Sequence, residues 1–195
     1  MDNTEKNALE KMVLAPYIQK ATSLRGKYRY VGGNQFRHAL GTFAILLDYH
    51  YMEPVLLKAA FIHDVFEDTN CVTADEIRFL DSDGVAVYNL VMEVTRQKAE
   101  SKAEFLDRIL TKGSNLAKIL KVADRISNLT DLHTDIFDKE FIKKTIDDTK
   151  KWVVPMAEQV NKDMLFELKD LIKRREHHFS LPSHIWPLTR KEGKD

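Results

Sequence analysis

Residues 54–62 read PVLLKAAFI and are apolar at every position except Lys58. The chain then turns abruptly charged, with His63, Asp64, Glu67 and Asp68 inside FIHDVFEDTN. Elsewhere apolar positions recur at helical spacing, and no useful length alternates with period two, so the pattern predicts an all-α, multi-helix domain. A first helix is expected over about 5–23 and a Gly-containing loop over 25–35. A second helix is expected from about Phe36 to His50, apolar nearly all round and therefore buried. A third should begin near Pro54, where a missing N–H costs nothing, and run through His63. Thr73-Ala-Asp-Glu76 is a capping box that starts another near 74. Further helices are expected at about 84–95, 100–112, 114–131, 138–159 and 161–178. Pro155 is expected to kink the 138–159 helix.

Composition narrows the class. The chain has 195 residues, 44% apolar and 31% charged, which suits one globular domain with a full core. We expect a domain at 1–179 and an irregular tail at 180–195, which holds Pro182 and Pro187. There are 30 basic and 30 acidic residues, a formal net charge of zero, so no global basic excess points to a nucleic-acid partner. No apolar run approaches the roughly 18 residues of a membrane span, and MDNTEKNALEK has no apolar core of a secretion signal. The lone cysteine, Cys71, fits a cytoplasmic setting.

Three features bear on chemistry. On a helix, His63 with Glu67 and Asp64 with Asp68 are i, i+4 pairs. Because His63 and Asp64 are adjacent, both reach one point only if the helix end turns towards it. Three carboxylates this close repel unless a cation or protons intervene, so the stretch is either a solvated helix end or a metal site. The second feature is His38, on the apolar second helix, where a histidine is a core residue or a ligand. The third is KVADRISNLTDL at 121–132. Asp124, Asn128 and Asp131 form a stripe there at i, i+4 and i+7 beside an apolar one. Asp124 follows a mostly apolar run and needs a partner if buried. His133, His177, His178 and His184 are expected to face solvent and are assigned no chemistry.

Taken together, the order His38 … His63-Asp64 … Asp124 resembles the pattern of HD-domain metal phosphohydrolases. FIHDVFEDT looks like the HD-x-x-ED-T signature of RelA/SpoT-type hydrolases of (p)ppGpp. KVADRISNLTDL, GVAVYNLVMEVTR and DDTKKWVVPMAEQVNKDMLFELKDLIKRR are similar to further segments of that group, so the resemblance covers about residues 8–178. It implies an HD-domain fold in which His38, His63, Asp64 and Asp124 hold a divalent metal, usually manganese in the family. Two imidazoles and two carboxylates would also suit iron or zinc. It further implies that Glu67 and Asp68 handle the attacking water. Arg29 would pack on the guanine ring, and Asn128 would contact ribose or phosphates.

The chain departs from the family pattern at Tyr30, where a lysine is frequent, at Ala39, where a proline is common, and at Arg96 in place of lysine. The implied activity is that of a stand-alone enzyme that removes the 3′-pyrophosphate of ppGpp or pppGpp to leave GDP or GTP. The alternatives are an HD-type hydrolase of another nucleotide and a non-catalytic nucleotide-binding module.

Overall fold

The structure, a computed structural model, describes residues 2–132 and 139–180. Histidines 133 and 184, the side chain of residue 178 and the expected tail beyond Ser180 lie outside what it describes. The described residues form twelve α-helices with no strand, in agreement with the all-α expectation. The nearest approach to a sheet is one isolated bridge, between Tyr28 and Asn34.

The expected first helix is two. Helix α1 (Asn3–Lys11) ends at an extended Met12, and α2 (Ala15–Ala21) starts afresh with Pro16 in its first turn. Proline has no N–H to give, and its ring would clash with the carbonyl four residues earlier, that of Met12, so one regular helix cannot run through this point. A 3-10 turn (Thr22–Gly26) leads into the loop 27–34. That loop closes on itself: the Arg29 and Gln35 N–H groups donate to the Gly33 and Lys27 carbonyls. Gly32 (φ 93°) and Gly33 (φ 73°) make the reversal, a backbone region that other residues enter only at a cost.

Helix α3 (Gln35–Asp48) is capped by Asn34, whose side-chain oxygen accepts from the Arg37 N–H. It is amphipathic rather than enveloped, a correction to the sequence reading. Only His38, Ala39, Thr42 and Leu46 are fully buried, and Leu40 is 38% exposed. The enveloped helix is α4 (Pro54–Ile62), in which every residue from Leu56 to Ile62 is buried. Each fully buried leucine, isoleucine or phenylalanine there contributes about 1.5–3 kcal/mol. The buried Lys58 is paired with Asp81 and Asp83 at 2.7 and 2.6 Å.

After a four-residue helix α5 (Val65–Asp68), the predicted capping box is present. Thr73 and Glu76 exchange both bonds at the start of α6 (Ala74–Arg78). Helix α7 (Gly84–Val94) packs on α4 and α6, and α8 (Lys102–Lys112) lies against α9 (Asn115–Thr130). Helix α9 packs against α3, α7, α11 and α12 and buries nearly its whole circumference, from Ala117 to Leu129.

The expected 138–159 helix is interrupted. Helices α10 (Lys139–Asp148) and α11 (Val154–Val160) flank a π turn at Thr149–Val153, in which the Val154 N–H reaches the Thr149 carbonyl. The wider turn comes just before Pro155, whose ring would clash with a regular helix carbonyl. Helix α12 (Lys162–Ser180) closes the domain.

Candidate metal centre

The two buried helices and α3 deliver the ligand candidates. Helix α4 stops at Ile62. His63 keeps helical angles, but Asp64 (φ −98°, ψ −3°) bends the chain before α5. That bend lets two adjacent side chains face one point: His63 Nε2 lies 3.3 Å from Asp64 Oδ2. From α3, His38 Nε2 is 3.0 Å from Asp124 Oδ1 of α9 and 3.7 Å from Asp64 Oδ2. Ligand atoms of His38, His63 and Asp124 all fall within 4.8 Å of one another, and all three residues are buried. Asp64 flanks both imidazoles. The sequence-predicted set thus converges from three helices.

A cation fits this donor set. His63 Nδ1 donates to the Ala60 carbonyl at 2.8 Å, so the neutral ring carries its lone pair on Nε2. That atom is buried without a hydrogen-bond partner and faces the oxygens of Asp64 and, at 3.9 Å, Asp124. Lone pair against carboxylate is unfavourable unless a proton or a metal stands between them. Burial alone would lower the His63 pKa, but Asp64 and Asp124 outweigh it and raise the pKa to about 9. Burial pushes the two carboxyls up. The histidines around Asp64, and Lys121 with both histidines around Asp124, override this and hold them low.

The proposed water-handling acids sit beside the cluster. Glu67 accepts from the Arg96 N–H at 2.6 Å. Its pKa is raised, chiefly by burial, with the Arg96 N–H and Lys121 opposing and Asp64 and Asp124 adding. Asp68 Oδ2 accepts from Gln35 Nε2 at 2.9 Å, and its Oδ1 is 3.3 Å from Lys27 Nζ. Asn128 donates to Asp124 Oδ1 at 2.6 Å and accepts from Arg29 Nη2 at 2.9 Å. Arg29 also lies 3.5 Å from Asp131, and its Nη1 is buried without a partner.

A cleft of about 350 Å³ opens next to these residues, with Lys27, Arg29, Gln35, Lys102, Arg125 and Asn128 in its wall and Tyr28, Tyr30 and Phe141 among its aromatic lining. Gln35 and Asn128 are the link, because each lines the cleft and donates to an acid of the His–Asp cluster. The cleft is therefore basic where the cluster is acidic, as a multiply phosphorylated ligand beside a metal requires.

Three contributors escaped the sequence reading. Lys121 pairs with Asp124 Oδ2 at 2.8 Å, Ser127 Oγ lies 3.0 Å from His38 Nδ1, and Gln35 bridges Asp64 and Asp68. The first two stand three residues either side of Asp124, so helical spacing alone offered the signal.

The fold and the site together define an all-α domain of the HD phosphohydrolase type. The chain belongs to the family of guanosine-3′,5′-bis(diphosphate) 3′-pyrophosphohydrolases named MESH1. It is 31% identical to the Homo sapiens member over 152 residues, which is 74% of this chain and 82% of that protein. Its match to the Mus musculus member is 34% over 106 residues, 52% of this chain and 58% of that one. The Drosophila melanogaster member matches at 37% over 83 residues, 41% and 45% of the two chains. A solved structure described as a metazoan ortholog of SpoT that hydrolyzes ppGpp superposes with a TM-score of 0.72. It is 26% identical and covers 83% of this chain and 93% of its own. No protein-family model matches the chain. Among the described residues, no helix is long and apolar enough to cross a membrane.

Proposed function

We propose that this chain hydrolyses the 3′-pyrophosphate of guanosine 3′,5′-bis(diphosphate), or of its triphosphate form, to GDP or GTP plus pyrophosphate. The observation that carries the reading is the convergence of buried His38, His63 and Asp124, flanked by Asp64, beside a basic cleft. The human relative, named for this same activity, supports it.

His38, His63, Asp64 and Asp124 would hold a divalent ion, manganese by family resemblance, and such an ion supplies Lewis-acid stabilisation of phosphoryl charge. The chain's own groups do the rest. Glu67 and Asp68 orient the attacking water and take its proton. A carboxyl with a raised pKa, as at Glu67, is the better base near neutral pH. Water adds to the 3′-linked phosphorus, the bond from that phosphorus to the ribose 3′ oxygen breaks, that oxygen takes up a proton as the 3′-hydroxyl of GDP or GTP, and the attacked group is released as pyrophosphate. Arg29 presents a guanidinium plane suited to a purine, and Asn128 couples it to the acid at Asp124. Lys27, Lys102 and Arg125 neutralise the remaining phosphates. A cytoplasmic setting fits the exposed Cys71.

The test is product analysis. Metal-defined protein incubated with ppGpp should yield GDP and pyrophosphate in equal amounts. Orthophosphate as product, or turnover of ordinary nucleotides only, would move the reading to another HD-type nucleotide hydrolase.

A further inference from the structure

We propose that Gln35 is a positioning residue that fixes the Asp68 carboxylate for hydrolysis, by stapling the substrate loop to the acids of the metal side. The inference rests on the function proposed above. Asp68 ends a helix of only four residues, α5. A carboxylate turns readily about its last torsion, so the direction of its oxygens is set by what holds them. Two groups do. Lys27 comes from a side chain 55% exposed, and such a pair is screened and mobile. Gln35 is anchored at both ends. Its backbone N–H donates to the Lys27 carbonyl at 2.9 Å, and its Nε2 donates to Asp68 Oδ2 at 2.9 Å and to Asp64 Oδ2 at 3.3 Å.

The amide can hold only one way round. Flipped, its carbonyl oxygen would face two carboxylates and lose both donations. A neutral donor also relieves repulsion between Asp64 and Asp68 without adding a positive charge that would oppose a metal. Because Gln35 also lines the cleft, the staple joins the loop that carries Arg29 to the proposed water-handling acid.

The test combines a split of kinetic constants with a double-mutant cycle. Gln35→Leu should lower kcat roughly 10- to 100-fold, the scale of a displaced catalytic group. KM for ppGpp and manganese affinity, measured by calorimetry, should stay within about twofold of the wild type. In an Asp68→Ala background the same change should have no further effect, because its action runs through Asp68. If Gln35→Leu fails to fold, Gln35→Asn carries the same cycle, since its amide is one methylene too short to reach both acids. Unchanged kcat, a loss accounted for by weaker manganese binding, or an equal fold loss in both backgrounds overturns the inference while leaving the proposed function intact. A wild type inert towards ppGpp would overturn that function and the inference with it.

Discussion

His63 donates its Nδ1–H to the carbonyl of Ala60, one turn earlier in α4. The bond does two things. It satisfies a carbonyl at a helix end that lacks an intrahelical partner, and it commits the other ring nitrogen to the acidic cluster. A neighbouring partner that sets tautomer and ring direction is what metal-binding imidazoles need.

Protons and metal should compete at that nitrogen. The folded, metal-free protein holds the His63 proton up to about pH 9, against 6.5 for the free side chain. A raised folded pKa contributes stability that is complete below the unfolded value and is lost as pH rises through the folded one. The metal-free protein should therefore melt at progressively lower temperature between pH 6.5 and 9, whereas manganese-loaded protein should not. Thermal melts of both forms across that range check this. A flat metal-free profile would mean that His63 is not the group holding the proton.

Removing Asp124 and removing the acid at Glu67 should separate binding from chemistry. Asp124→Ala removes a proposed ligand and strips His38, Lys121 and Asn128 of a shared partner, so bound manganese and activity should vanish together. Glu67→Gln should leave the metal in place and lower turnover about 10²- to 10⁴-fold, the usual contribution of a general base. Metal analysis beside single-turnover kinetics distinguishes them. Full activity in the Asp124 variant would refute the site assignment.

Arg29 should act on binding more than on the chemical step. Arg29→Ala removes a charged hydrogen bond to Asn128 and the guanidinium proposed for the base. KM should rise about 10- to 100-fold, the scale of a charged hydrogen bond of about 1.5–3 kcal/mol, with a smaller change in kcat. A fall in kcat at constant KM would instead assign Arg29 to the transition state.

One prediction concerns stability alone. A Cβ at Gly84 would stand 2.4 Å from the Ile77 carbonyl and 2.6 Å from that of Arg78. Backbone atoms cannot swing aside, so Gly84→Ala should cost about 1–3 kcal/mol, as overpacking does. Denaturant melts measure the loss, and manganese stoichiometry of the folded fraction should be unchanged.

Much of the cluster could be read from the chain because its ligand candidates are chemically unusual where they stand. A histidine on an apolar helix, an aspartate after an apolar run and an HD pair at the end of a core helix each raise the question of a partner. Gln35 raises none, being a neutral amide at a helix start, and only the bend at Asp64 brings two acids to it. The burial of α3 misled for a related reason. Apolar content says that a helix needs covering, while its neighbours decide on how many sides. Pro16 and Pro155 were both readable signals. The first forced a fresh start, with α2 beginning one residue before it. The second was absorbed by a π turn, whose first residue, Thr149, accepts at Oγ1 from the buried Arg125 of α9.

That π turn has a geometric consequence. It amounts to one residue inserted into a helix, and each residue of a helix advances the chain by about 100°. Removing one residue between Thr149 and Val153 would turn α10 about its own axis by roughly that angle relative to α11. Phe141 and Thr145, which now face the cleft, would rotate out of its wall. Two residues of the cleft wall thus owe their direction to a single step in the winding of a helix far along the chain from His38, His63 and Asp124.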